Sequence, residues 1–332
     1  MDPRLAAAPS SVHHRAPEAR IRASPSRRLP LTAAFDYAPF GPNMVEYDSK
    51  NWLSVLSRMR GSVLPALLPR LLLCAAIGAG AAWLFVSYGF KLPSIAHTLV
   101  GVALGLLLVF RTNASYDRYW EGRRLLGGFV NRSRDLARQA AAYIDDSADG
   151  LAERREIARL LSVFFALLRQ YLRKERDLDQ LGAPLSADER AALEPLPVRP
   201  TLASVWLTRV LAKSARAGRL SAEKLHLMDA NVTQLVDVWG GAERIMKTPI
   251  PFAYAQHIKS FLMLFCFTAP FAMVEQMRWY TPIASAVLAF GMFGIDEIGV
   301  EIEDPFGYDP NDLPLDAIGQ RLTDDTKSMT SA

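Results

Sequence analysis

The chain has 332 residues, a formal net charge of +4, a calculated pI of about 9.1, and hydrophobic residues at 50% of its positions. A basic balance fits a nucleic-acid-binding protein or a membrane protein with basic cytoplasmic parts, but no RRM, zinc-finger or basic-helix pattern is present. Charged residues are excluded from a few long stretches and concentrated between them, which indicates an integral membrane protein.

The sequence does not predict an enzyme. It has no glycine-rich phosphate loop, no HExxH motif and no Gly-x-Ser-x-Gly motif. Cys74 and Cys266 lie inside apolar runs, and the five histidines are not at metal-ligand spacing with them. No cofactor is therefore expected from these residue types.

Residues 1–43 differ in composition from the rest of the chain. They are rich in Ala, Arg, Ser and Pro, show no apolar periodicity, and contain no hydrophobic core of a secretory signal. Three interpretations stay open: a disordered extension, an organelle-targeting extension, or translation that truly begins at Met44.

Four apolar stretches are long enough, or nearly so, to cross a ~30 Å hydrocarbon core as helices. We predict spans at residues 71–90, 92–110, 255–274 and 279–298. The links within the first pair and within the second pair are very short, so each pair forms an antiparallel hairpin. A soluble protein with four unusually apolar core helices is the alternative.

Residues 111–250 form a polar region with helical patterning and no convincing strand. They carry more than twenty Lys and Arg residues, whereas the hairpin tips carry one or two. The positive-inside rule therefore puts this region and both termini on the cytoplasmic side, as a helical cytoplasmic domain.

The first informative motif, FRTNASYDRYWEGRR, directly follows the second predicted span. An ordinary juxtamembrane helix anchored by arginines is the simpler interpretation of its charges. Its candidate functional residues are Arg111, Asn113, Tyr116, Asp117, Arg118, Trp120 and Glu121.

The second motif, TPIPFAYAQH, enters the third predicted span. Pro249 and Pro251 lack amide donors, so no unbroken helix can pass through this motif. Broken backbone at membrane depth is tolerated where it is buried in protein or lines a wet cavity. A helix that simply begins with proline in its first turn is the alternative.

The third motif, EIEDPFGYDPND, gathers carboxylates around a Pro-Phe-Gly turn near the C-terminus. Clustered carboxylates are ligands that Ca²⁺ prefers, but a solvated acidic loop is the commoner explanation for such a run. The carboxylates of this run are Glu301, Glu303, Asp304, Asp309 and Asp312.

Together these motifs resemble the bestrophin family, in particular its bacterial and plastid branch. The signatures are FRTNASYDRYWEGR, AERIMKTPIPFAYAQHIKSFLMLFCFTAPFAMV and IEDPFGYDPNDLPLDAI, in that order. The resemblance covers about residues 44–320 and leaves 321–332 as a C-terminal tail. It implies a multi-pass protein of a bacterial inner membrane or, alternatively, of a plastid membrane.

The resemblance implies a homopentameric ion channel of all-helical subunits in lipid, with chloride or another monovalent anion as the permeant ion. Some bacterial members conduct monovalent cations, so that alternative stays open, as does a non-conducting membrane scaffold or receptor. The second span would line an apolar pore neck through Ile95, Leu99 and Ala103, although many relatives carry a bulky aromatic near the third position. In calcium-regulated members the acidic loop forms a metal clasp, and the possible calcium ligands that match its spacing here are Asp304, Asp309 and Asp312. The sequence departs from the clasp at Asp304, where those members have Asn.

Overall fold

The structure is a computed structural model that describes residues 50–331, and within this range all regular secondary structure is helical. The all-helical prediction is thus confirmed for these residues, while the predicted extension at 1–43 lies outside them. The α-helices are α1 (Trp52–Ser57), α2 (Leu64–Tyr88), α3 (Ser94–Tyr143), α4 (Ala148–Leu172), α5 (Ala187–Leu193), α6 (Pro200–Arg216), α7 (Ala222–Lys247), α8 (Phe252–Met277), α9 (Thr281–Glu303) and α10 (Leu315–Ser331).

Three helical stretches of the described residues are long and apolar enough to cross a membrane, judged by length and composition. They are α2, α3, and the stretch Phe252–Glu303 that contains both α8 and α9. A short 3-10 turn, Arg278–Tyr280, separates α8 from α9, and Arg278 takes a φ of 46° there. A bulky residue in the left-handed region marks a sharp change of chain direction.

Side-chain contacts fix the relative directions of these helices. His97 and Arg118 of α3 contact Thr268 of α8 and Thr248 just before it, so α3 and α8 are antiparallel. Arg111 and Arg118 of α3 contact Asp296 and Glu303 of α9, so α3 and α9 are parallel. The chain therefore folds back on itself between α8 and α9.

Helix α2 begins seven residues before the predicted span at 71. Pro65 lies in its first turn, where a missing amide donor costs nothing, and its apolar face packs on α9. Gly89, with a φ of 67°, ends the helix, and its amide donates to the Phe85 carbonyl at 2.9 Å.

Helix α3 is 50 residues long and continues far beyond the predicted boundary at Phe110. At about 1.5 Å per residue it extends for about 75 Å. The composition changes at Arg111, but no proline interrupts the helix there, so the hydrogen-bond ladder continues into the polar region. The boundary that the sequence indicates is one of environment and not of secondary structure.

The C-terminal half of α3 packs with α4, α7 and α10, and these helices share an apolar core. Phe129 of α3 meets Phe164 and Phe165 of α4 edge to face, with ring centroids 5.2 and 5.4 Å apart. Edge-to-face pairs of this kind add about 0.5–1.5 kcal/mol to the burial of the rings. This core joins the polar region to α3.

Residues 321–331, predicted only as a tail, form the second half of α10. Leu322 is buried, and the Thr326 and Thr330 hydroxyls donate to carbonyls one turn earlier. The helix covers α3 and α4, and an Arg134–Asp325 ion pair joins it to α3. These residues belong to the folded unit because their i, i+4 pattern supplies an apolar face.

Candidate functional site: a bare face of α3 and the junction beneath it

One face of α3 is not covered by the other helices of residues 50–331. Ile95 and Leu99 are 74% and 69% exposed, and Ala103 is exposed on the same side. Leu104 and Leu108, on the opposite side, are fully buried against α8 and α9. The predicted neck residues thus lie together on a bare apolar strip, as their i, i+4 spacing requires.

The bare strip continues into the polar half of α3. Its residues are spaced three or four apart, so they stay on one side of the helix. Along the strip they change from apolar to polar. The exposed residues that continue this strip after Ala103 include Leu106, Phe110, Asn113, Asp117, Trp120 and Arg124. If several copies of this face met around an axis, they would enclose an apolar segment followed by a charged one.

Arg111 does not belong to that strip. Its side chain is 2% exposed and lies between α3 and α9, with Nε 3.0 Å from Asp296 Oδ1 and Nη2 3.5 Å from Glu303 Oε2. Gly299 faces this guanidinium, and the nearest atom to a Cβ added there would be Arg111 Nε at 3.8 Å. A charge predicted to anchor a helix at the membrane boundary is instead enclosed by protein and paired with two carboxylates.

Arg118, two turns further along, holds the connector between α7 and α8. Its guanidinium donates to the backbone carbonyls of Glu303, Thr248 and Ile245. The Nε–Glu303 and Nη2–Ile245 distances are 3.0 and 2.8 Å. One side chain therefore satisfies three carbonyls near the ends of α7 and α9.

The connector itself is the break predicted from the two prolines. Helix α7 ends at Lys247, Pro251 caps α8 with a ψ of 130°, and Pro249 is exposed. The Ile250 amide donates to Glu303 Oε1 at 3.2 Å. Glu303 thus contacts Arg111, Arg118 and the connector at one junction.

The remaining residues of the first motif fall outside that junction. Tyr116 and Trp120 are exposed, as are Asn113 and Asp117. Glu121 forms an ion pair with Arg244 of α7, with 2.5 Å between Oε1 and Nη2. Arg111 and Arg118 of the motif therefore point inward, while its outward face carries aromatic and polar side chains.

Three partners were not predicted from the sequence. They are Asp296 and Glu303, which contact Arg111, and Arg244, which contacts Glu121. A signal was present for the first two, because they are seven residues apart and hence on one face of α9. Arg111 and Asp296 also lie within or next to apolar helices, where a charged side chain is usually paired with one of opposite charge.

The acidic loop uses its carboxylates for its own turn. Asp312 is 5% exposed, and its Oδ2 accepts from the Asp309 amide at 2.7 Å, while Asp304 Oδ1 accepts from the Phe306 amide at 3.4 Å. Burial, together with the charges of Asp309, Asp304 and Glu301 and against that amide bond, raises the pKa of Asp312 to about 7.

This arrangement does not fit the calcium site that the resemblance suggested. Among residues 50–331, no group of three or more His, Cys, Asp or Glu side chains is placed to hold a metal ion. A calcium ion takes 6–8 oxygen ligands. The carboxylate of Asp312 is turned toward the backbone amide of Asp309.

Comparison with known proteins agrees with this geometry. The sequence profile described as "Bacterial/Fungal Bestrophin protein" matches residues 43–328. A voltage-dependent anion channel-forming protein of Synechocystis sp. is 38% identical over 276 residues, or 82% of this chain and 89% of that protein. The voltage-dependent anion channel-forming protein YneE of Escherichia coli K12 is 33% identical over 86% of this chain and 94% of its own length.

Solved structures give the same assignment. The crystal structure of a bacterial bestrophin homolog from Klebsiella pneumoniae superposes with a TM-score of 0.75 at 29% identity, covering 81% of this chain and 98% of that one. The sequence and structural matches cover similar shares of this chain. The chain belongs to the bacterial and fungal bestrophin family.

Proposed function

We propose that the chain is a pore-forming channel that conducts chloride or other monovalent anions passively through a homopentamer. The observation that carries this proposal is the bare strip on α3. An apolar strip of Ile95, Leu99 and Ala103, continuous with polar residues further along one helix, is suited to line a pore that narrows and then widens.

The proposed membrane topology has four crossings, by α2, the first part of α3, α8 and α9. The antiparallel direction of α8 and α9 and the sharp turn at Arg278 support two crossings within Phe252–Glu303. The many basic residues of 111–250 support a cytoplasmic position for the polar helices. This makes a multi-pass protein, most simply of a bacterial inner membrane.

The narrow part of the proposed pore is a stack of apolar rings. Five copies of Leu99, and of Ile95 one turn away, would face the axis, and such a constriction can gate by dewetting. Ala103 is small, so the third ring would be wider than the first two.

Anion selectivity is proposed from the relatives whose names describe anion channels. The arginines of the first motif do not add to that argument equally, because Arg111 and Arg118 are turned toward α9 and α7. Of the charged residues, the bare strip itself carries Asp117 and Arg124. The sign of the permeant ion must therefore be measured.

The test is a planar-bilayer recording of the purified full chain under asymmetric KCl. A reversal potential close to the chloride equilibrium potential supports the proposal. A reversal potential close to that of potassium would replace the anion channel with a cation channel of the same fold.

Oligomer mass needs a parallel measurement on the same sample by light scattering with correction for detergent. A mass of five chains together with ion flux is expected. Intact oligomers without flux in liposomes would indicate a membrane scaffold or receptor instead.

A further inference from the structure

The polar region contains an open pocket of about 230 Å³ that the proposed conduction path does not use. It lies between the C-terminal ends of α4 and α7 and the segment that leads into α6. Its inner wall is apolar and includes Leu167, Leu196 and Met246. Its rim carries four cationic side chains and one carboxylate, from Lys174, Arg176, Arg199, Lys247 and Glu175.

Most of this positive charge is not neutralised by the protein. Among residues 50–331, only Lys247 of the four cations forms a salt bridge, with Glu243 at 2.6 Å. Arg199 donates instead to two backbone carbonyls, those of Leu193 at 3.1 Å and Arg176 at 2.6 Å. Burial and the neighbouring charge of Arg176 lower the pKa of Arg199, against the attraction of Glu194. An anion in the pocket would relieve that repulsion.

The backbone at Lys174 is a second observation. This residue follows the end of α4 with a φ of 60°, where the Lys174 amide donates to Tyr171 O at 3.1 Å and the Glu175 amide to Gln170 O at 2.8 Å. Helix ends of this kind favour glycine, which the chain uses at the positive φ of Gly89. The turn does not need a lysine, but the rim of the pocket gains a cation from it.

The position of the pocket indicates its access. Lys247 is the last residue of α7, and only the connector Thr248–Pro251 separates it from the apolar helix α8. The pocket is smaller than the ~300 Å³ of typical sites for drug-sized ligands. A compact anion with several acceptor oxygens suits such a rim of Lys and Arg.

We propose that this pocket binds a phosphate group, presented either by a soluble phosphate or phosphate ester or by an anionic lipid headgroup. The two sources share one chemistry, and the location of the pocket allows both. The inference goes beyond channel activity and can be tested by binding alone.

The experiment compares the full chain in detergent with the double variant Lys174→Gly/Arg176→Gln. Calorimetric titration with inorganic phosphate at constant chloride measures the soluble source. Native mass spectrometry with added phosphatidylglycerol measures the lipid source as bound adducts. The matched control is Arg209→Gln/Arg216→Gln, which removes two charges from α6 at a different groove.

We expect wild type and control to bind at least one probe saturably, and the double variant to bind it about tenfold more weakly. The melting temperature of the double variant without ligand should equal or exceed that of wild type, because glycine suits the backbone at position 174. That result separates binding from folding. Equal binding by the double variant and wild type, equal losses in the control, or no saturable binding of either probe would overturn the proposal.

Discussion

At the scale of single residues, Arg111 shows how a boundary charge becomes part of the interior. The cost of taking its charge out of solvent is offset only while Asp296 and Glu303 stay in place. These ion pairs therefore determine how α3 and α9 pack together more than they add net stability.

Arg111→Ala should destabilise the protein by about 3–5 kcal/mol, because it leaves Asp296 buried without its partner. Thermal unfolding followed by fluorescence-detected size exclusion measures the loss. Arg111→Leu/Asp296→Leu should recover part of it, while Arg138→Ala, which removes an exposed i, i+3 pair with Asp135, should change little. A stable, correctly assembled Arg111→Ala protein would contradict this role.

Asp312 predicts a pH dependence of stability. Its pKa is raised from 3.8 to about 7, so the folded state favours the protonated carboxyl. The stability it contributes is full below pH 3.8 and is lost as pH rises through about 7.

Asp312→Asn should therefore raise the melting temperature by about 2–4 °C at pH 8, with the difference from wild type vanishing near the acid end of that window. The carbonyl oxygen of Asn can still accept from the Asp309 amide. Asp188→Asn, an exposed aspartate on α5, is the control and should shift neither curve. A constant difference at all pH values would contradict titration as the cause.

Ile95 and Leu99 lie outside the core of their own chain. Ile95→Ala or Leu99→Ala should change single-channel conductance or gating while leaving expression and oligomer mass unchanged, because neither removes a core contact. Leu104→Ala, on the buried side of α3, should instead lower stability by about 2–5 kcal/mol. Wild-type currents from both strip variants would exclude these residues from the neck.

At the scale of helices, α2 and α9 approach closely at one glycine. A Cβ at Gly78 would lie 2.7 Å from Ser285 Oγ and 2.9 Å from Pro282 Cα, whereas a Cβ at Gly80 meets nothing within 4 Å. The close approach of the two backbones at this point therefore requires that α2 carry no side chain at Gly78.

Gly78→Ala should cost about 1–3 kcal/mol of stability because the backbone of α9 must move away. Gly80→Ala, two residues along the same helix, should be neutral or stabilising by up to about 1 kcal/mol through helix propensity. Melting temperatures of the two proteins in the same detergent test this. Equal behaviour of the two variants would mean that the α2–α9 contact yields readily.

Helix positions and helix partners were not equally predictable. The charge-free stretches indicated α2, α8 and α9 because hydropathy and length are local properties. The sequence indicated that the helix continues past Phe110 into the first motif, but it did not show that one helix runs on to Tyr143. Helix α10 was missed because its apolar positions are few and are mixed with threonines.

At the scale of the whole molecule, three motifs far apart in the sequence meet at one junction. Arg118, Thr248 and Glu303 are joined by hydrogen bonds across 130 and 185 positions. The sequence predicted each motif as a local feature, and the family resemblance predicted their common fold. Neither predicted which carbonyl or carboxylate each arginine would contact, because these contacts depend on the register between helices.

The uninterrupted α3 has a mechanical consequence. Its stretch from Ser94 to Trp120 holds no proline, while the neighbouring chain is interrupted as a helix at the Thr248–Pro251 connector and reverses its direction at Arg278. Helix α3, which carries the bare strip, is therefore stiff, and the interruptions lie in the neighbouring segments of the chain. If the proposed pore opens at its narrow part, whole α3 helices should tilt or rotate. The accompanying bending should occur at the Thr248–Pro251 connector and at Arg278.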